Sequence, residues 1–132
     1  MIRTLIVAVL VLAPLGAPLA ARSPGDVAEV RNGLLAVAVG DIIQEECSSI
    51  SPRLIRVYTL RNSLLSAARA AGFSSDEIDA FVDDKVARRN LKAEAKSYLA
   101  QRGVDPAQPA SYCTVGAAEI KANTAVGRLL RN

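Results

Sequence analysis

Two cysteines behind an export-type leader constrain this chain more than any other feature. Arg3 gives a short positive start, Leu5 to Leu12 is an unbroken apolar run, and small residues follow at Gly16, Ala17, Ala20 and Ala21. That order is the pattern of a secretory signal peptide. It predicts a signal peptide helix over 1–21 and a single helical domain over 22–132, periplasmic or secreted. Pro18 stands three places before a cut at Ala20 and disfavours it, which favours cleavage after Ala21. A transmembrane anchor would need about 20 apolar residues, and here Pro14 and Pro18 interrupt a shorter run. No membrane span is therefore expected after cleavage. No cysteine stands at the cleavage site for lipidation, and no paired arginines precede the apolar core.

In an oxidising compartment Cys47 and Cys113 are expected to form one disulfide. The bridge closes a loop of roughly 66 residues, for which the chain-entropy model gives about 4 kcal/mol of stabilisation. A redox-active pair is the alternative. Such pairs sit close in sequence with a lowered thiol pKa, and these two do not. The chain has no histidine. That excludes Ser–His and Cys–His nucleophile pairs and any histidine-containing metal site, and two cysteines alone do not make a typical structural zinc site. No catalytic residue, metal or cofactor is expected. An enzyme would have to rest on carboxylates such as Asp41 and Glu119.

About 111 residues remain after the leader, enough for one core. With Arg3 removed the formal charge is about +2, and charges of both signs are interspersed along the chain. No nucleic-acid partner is expected from that pattern. Aromatics are sparse, namely Tyr58, Phe73, Phe81, Tyr98 and Tyr112, so stacking platforms for bases have little to work with.

The apolar spacing predicts an all-α fold, a small bundle of four to five helices with one disulfide. Asp26 is a cap for a first helix to about Glu46, with Val27, Val30, Leu34, Val37, Ala38 and Ile42 spaced by three or four. The six apolar residues Leu34 to Val39 also fit a buried strand, but no second strand candidate exists to pair with it. Ser51-Pro52 reads as the start of a second helix, with Ser51 as N-cap and Pro52 in the first turn. This helix runs to about Ala71 before Gly72, and its buried stripe is Leu54, Val57, Tyr58, Leu64, Leu65 and Ala68. Ser74 and Glu77 make a capping box for a third helix. Its early face of Ile78, Phe81, Val82 and Val86 is out of phase with its later face of Leu91, Ala95, Tyr98 and Leu99, which predicts a break near Arg88-Arg89-Asn90. After the proline-rich loop Val104 to Pro109, a last helix spans about Ala110 to Leu130. The disulfide would then staple the start of the last helix to the end of the first.

Helical phase places some polar side chains on apolar stripes. Arg61 shares a face with Leu54, Tyr58 and Leu65, Asp41 falls near Val30, Leu34 and Val37, and Glu119 and Asn123 lie on the side of Tyr112 and Val126. A buried charge is costly unless paired. The pattern therefore predicts a buried polar cluster of Asp41, Tyr58, Arg61, Glu119 and Asn123, with Arg61 paired to Asp41 or Glu119. Its plain role is to fix helix register. Its functional alternative is a small polar pocket that binds an anion or does acid/base chemistry. Gly116 and Gly127, inside the last helix by this reading, mark close approach of another helix.

The run Tyr112-Cys113-Thr114-Val115-Gly116-Ala117-Ala118-Glu119-Ile120, followed by Gly127-Arg128-Leu129-Leu130, resembles short exported alphaproteobacterial proteins grouped as a domain of unknown function. That resemblance implies no activity, cofactor or catalytic residue. The two-cysteine helical plan is also similar in architecture to small periplasmic acid-stress chaperones. The expectation is a non-enzymatic exported protein that acts by binding a protein partner in the cell envelope, chaperone-like or envelope-associated. The alternative is an inhibitor or accessory subunit of an envelope enzyme, presenting a loop such as Val104–Ser111.

Overall fold

A computed structural model describes residues 22–132 of the chain. The expected leader and its cleavage site lie outside the described residues. Among these residues five α-helices carry the fold: α1 (Ala28–Glu46), α2 (Leu54–Ala70), α3 (Ser75–Asp83), α4 (Lys85–Gln101) and α5 (Ala110–Lys121). The all-α bundle expected from the sequence is the fold observed. One small addition closes it. Two-residue strands β1 (Ser51–Pro52) and β2 (Leu130–Arg131) pair antiparallel, with Ser51 opposite Arg131 and Pro52 opposite Leu130.

Helix α1 is the axis of the bundle and packs against α2, α4 and α5. This explains its sequence. A central helix is covered on several sides and reads as a near-continuous apolar run rather than one stripe. The Leu34–Val39 run is therefore helical, with Ala36 and Val39 buried and its other members half-buried. The main core gathers Val39, Ile43, Cys47, Ile50, Ala95, Leu99, Tyr112, Val115, Val126, Leu129 and Leu130. Among the larger of these side chains, Val39, Ile43 and Leu130 have no exposed surface. Each such aliphatic side chain contributes about 1.5–3 kcal/mol of burial. A satellite core of Val30, Ala68 and Ile78 joins α3 to α2 and to the start of α1.

Disulfide Cys47–Cys113 joins the end of α1 to the first turn of α5, with the two Cα atoms 5.2 Å apart. Beside it, α1 and α5 approach at Gly116. A Cβ there would lie 2.5 Å from Ile50 Cδ1 and 2.8 Å from Ile43 Cγ2.

Several helix limits differ from the sequence expectation, each for a local reason. Asp26 does not cap α1. Its carboxylate accepts from the Ser23 N–H at 2.7 Å and closes a short 3-10 turn, Pro24–Asp26, ahead of the helix. Ser51 and Pro52 do not start α2, because their backbone pairs with Leu130 and Arg131, and the helix begins two residues later. The Ser74–Glu77 capping box is present: the Ser74 N–H donates to Glu77 Oε2 at 2.7 Å and the Glu77 N–H to Ser74 Oγ at 3.2 Å. The long third helix does break, but at Asp84 rather than Arg88–Asn90. Asp84 Oδ1 accepts from the Val86 and Ala87 N–H groups at 2.7 and 2.8 Å and caps a new helix.

The last helix ends at Lys121, nine residues early. Asn123 adopts φ 53°, the left-handed conformation that terminates helices. The Thr124 N–H then bonds the Glu119 carbonyl at 3.3 Å and the Asn123 N–H bonds that of Ile120 at 3.1 Å. Gly72 and Gly103 end α2 and α4 by the same device, each at φ 97°. Past Asn123 the chain doubles back through a 3-10 turn, Gly127–Leu129, onto α5 itself. A Cβ at Gly127 would overlap the Glu119 backbone carbonyl, so the close approach expected there comes from its own neighbouring helix and not from another.

Candidate functional site

Of the five residues expected to form a buried polar cluster, only Glu119 is buried. It lies on the inner face of α5, and its carboxylate is surrounded by donors. Arg102 Nε stands 2.8 Å from Oε1, the Tyr98 hydroxyl donates to Oε2 at 3.0 Å, and the Thr124 hydroxyl also donates to Oε2. Thr124 Oγ1 in turn accepts from the Gly127 N–H at 3.0 Å. The Arg102 guanidinium stacks on Tyr98, 3.3 Å from the ring centroid. This arrangement follows from helical spacing. Tyr98 and Arg102 are four apart at the end of α4, so they share one face there. Burial raises the Tyr98 hydroxyl above its ordinary 10.0, and the adjacent Glu119 carboxylate raises it further. Every carboxylate oxygen of Glu119 is engaged, and the cluster clamps α4, α5 and the returning C-terminal turn together.

The other four residues stand apart. Arg61 is exposed and makes no ion pair among the described residues, so its expected partnership with Asp41 or Glu119 is not formed. Its phase on α2 is inward-leaning, but among the described residues that flank of α2 is uncovered. Tyr58 is 63% exposed for the same reason. Asn123 is exposed and works through its backbone at the helix end. Asp41 sits on the outer side of α1. Desolvation, and then the Glu45 carboxylate one turn on, raise its carboxyl above the ordinary 3.8.

Two exposed apolar groups replace the expected pocket. On α2, Leu54, Ile55 and Tyr58 are 71%, 83% and 63% exposed. Leu54 and Tyr58 were expected in the buried stripe of that helix; the stripe that is covered runs instead through Val57, Leu60, Leu64 and Ala68. At the α3–α4 junction, Val82 and Val86 are more than half exposed, contrary to their expected burial beside Ile78. The early break at Asp84 turns them outward, and Val82 lines an open groove with Leu34, Phe81 and Leu91.

Around the α2 knob the fold gathers arginines from two distant segments. Arg53 and Arg56 flank Leu54 and Ile55, with Arg131 alongside. Arg53 Nε donates to the Leu130 carbonyl at 2.9 Å, and Arg56 Nη1 donates to that of Arg128 at 3.3 Å. No acidic residue occurs from Cys47 to Ser75, nor after Glu119. The overall alternation of charge along the chain concealed this. Those two acid-free stretches were the signal that would have found it.

Among the described residues no group of three or more His, Cys, Asp or Glu side chains is placed to hold a metal ion, and no helix is long and apolar enough to cross a membrane. These features define a small disulfide-stapled all-α domain with one satisfied buried carboxylate and one apolar, basic helix face. A model of the family of unknown function DUF5333 matches residues 23–131, and the chain belongs to that family. No curated protein and no solved structure matches it.

Proposed function

We propose that this protein is exported and acts by binding in the cell envelope, without catalysis, and that the N-terminal half of α2 is its binding face. The observation that carries the reading is the side-by-side exposure of Leu54, Ile55 and Tyr58 on a helix whose opposite side is packed. Large apolar side chains grouped on a surface mark contact sites. The disulfide supports export, since such bonds persist in oxidising compartments. The two carboxylates open to chemistry are not paired: Glu119 is saturated by Arg102, Tyr98 and Thr124, and the charge that acts on Asp41 is that of Glu45. An envelope-associated or chaperone-like role both use such a face.

The test is site-specific photo-crosslinking in the native envelope fraction. A benzophenone residue placed at Ile55 should yield adducts, and the same residue at Ala93, exposed on α4, should not. Equal yields at the two positions, or none at Ile55, would overturn the reading. The inhibitor or accessory-subunit alternative has one observation in its favour. The Val104–Ser111 loop is exposed from Asp105 to Ala110 and is held in one shape by Ser111 Oγ, which accepts from the Asp105 N–H and donates to the Asp105 carbonyl, both at 3.0 Å. Adducts from Ala107 and not from Ile55 would select it.

A further inference from the structure

We propose that the α2 face docks on an anionic lipid surface; this rests on the reading of α2 as the binding face and names its partner. The composition of the face carries the inference. An apolar knob, Leu54 and Ile55 in the first turn with Tyr58 one turn on, is bordered by Arg53, Arg56 and Arg131, with Arg128 behind Arg56. Apolar side chains that enter the headgroup boundary, ringed by cations that meet lipid phosphates, are the pattern of interfacial attachment. Arg53 and Arg56 each spend one of their five donors on a C-terminal carbonyl, which steadies the side chain and leaves the rest of the fork for phosphate. The N-terminal end of α2 carries no acidic residue in its first turn and adds its own positive end to this field.

The charge layout also orients the molecule. Asp76, Glu77, Asp79, Asp83 and Asp84 crowd α3 and its junction with α4, while the segments that build the α2 face hold no acid. Glu29 is the acidic side chain that lines the adjoining α1–α2 surface, with Arg56 and Arg128 on one part of it and Tyr58 on another. An anionic surface would attract one end and repel the other. A second copy of this chain across a two-fold axis would set arginine against arginine, which disfavours a symmetric dimer through this face. Nucleic acid would meet the arginines, but Tyr58 is the one aromatic on the face able to stack on bases, and Leu54 and Ile55 would stay wet.

The experiment is co-sedimentation of the oxidised protein, purified as it is exported, with phosphatidylcholine vesicles with and without phosphatidylglycerol. Binding should require phosphatidylglycerol and disappear in about 1 M salt, where the Debye length is about 3 Å. Arg53→Glu with Arg56→Glu should weaken binding more than tenfold, given roughly fivefold per basic side chain at such a surface. Ile55→Ser should weaken it severalfold, and Lys92→Glu on α4 should leave it unchanged. Circular dichroism melts matching those of the parent would show that the variants fold.

Equal binding to both vesicle types, no binding to either, or indifference to the α2 substitutions would overturn the proposal. So would stronger binding of the same face to a single-stranded oligonucleotide, which would reassign it to nucleic acid. Benzophenone adducts from Ile55 to protein alone would keep α2 as the binding face and overturn the lipid assignment.

Discussion

The Glu119 corner and the α2 face both set charge beside apolar side chains, and the fold treats them in opposite ways. At Glu119 two helices and a returning turn converge. A carboxylate only 5% exposed is held there by Arg102, Tyr98 and Thr124. On α2, Arg61 lies on the same helical stripe as Leu54 and Tyr58, and among the described residues it is exposed. Both positions are inward-leaning by helical phase. What separates them is whether a second element crosses at that height. A polar group on an apolar stripe is therefore a structural clamp where an element crosses, and a candidate contact where none does.

The largest expected effect tests what holds the crossing together. Replacing Cys47 and Cys113 together by serine frees the loop they close in the unfolded chain. This should cost about 4 kcal/mol, read as a lower urea midpoint under oxidising conditions. The loss should vanish when both proteins are compared under strong reductant. Next in size is Glu119→Ala. It strands the Tyr98 and Thr124 hydroxyls in a half-buried site and unties α4 from α5, at a cost of about 2 kcal/mol. A loss below about 0.5 kcal/mol would show that the corner is no clamp. The Tyr98 hydroxyl adds a pH signature. Its pKa is raised on folding, so its contribution is complete below pH 10.0 and fades as pH climbs through the folded value. Parent stability should therefore fall at high pH more steeply than that of Tyr98→Phe.

The helices and the Ser74–Glu77 box were legible because each depends on neighbours close in sequence, and the staple, between residues 66 apart, because two cysteines allow a single pairing. The buried state of Glu119 was legible from phase alone. Its partners were not, because phase gives a direction and not the element met there. Tyr98 lies in α4 and Arg102 caps its end, and their approach to α5 is set by the turn at Gly103. The early end of α5 was missed because Asn123 does the work that glycine does at Gly72 and Gly103. That error hid the fold-back at Gly127, the β1–β2 pair and the meeting of Arg128 and Arg131 with α2. The break at Asp84 was misplaced because the phase change was located by its apolar residues rather than by the capping carboxylate.

A smaller effect, of opposite sign, is expected on α1. Asp41, Glu45 and Glu46 occupy its last two turns, where the helix dipole is negative. Because folding raises the Asp41 carboxyl, its contribution is complete below about pH 3.8 and is lost as pH rises through the folded value. At neutral pH the charge therefore opposes folding. Asp41→Asn should raise the urea midpoint at pH 7, and the gain should shrink as pH drops below 3.8. A gain that persists at low pH would mean that something other than the charge is responsible.

The smallest expected effect cuts deepest into the comparison. Arg61→Ala and Tyr58→Ser remove exposed side chains that lack ion pairs among the described residues. Each should move stability by no more than about 0.5 kcal/mol. If Arg61→Ala instead destabilised as much as Glu119→Ala, α2 would have a structural partner for that charge, and the contrast between clamp and open face would fail. If the substitutions leave stability intact and lower vesicle binding or Ile55 crosslinking, side chains that contribute nothing to folding contribute to contact. Stability and binding would then be separated on a single helix, with Leu64 and Ala68 packed on one side and Leu54, Ile55 and Tyr58 presented on the other.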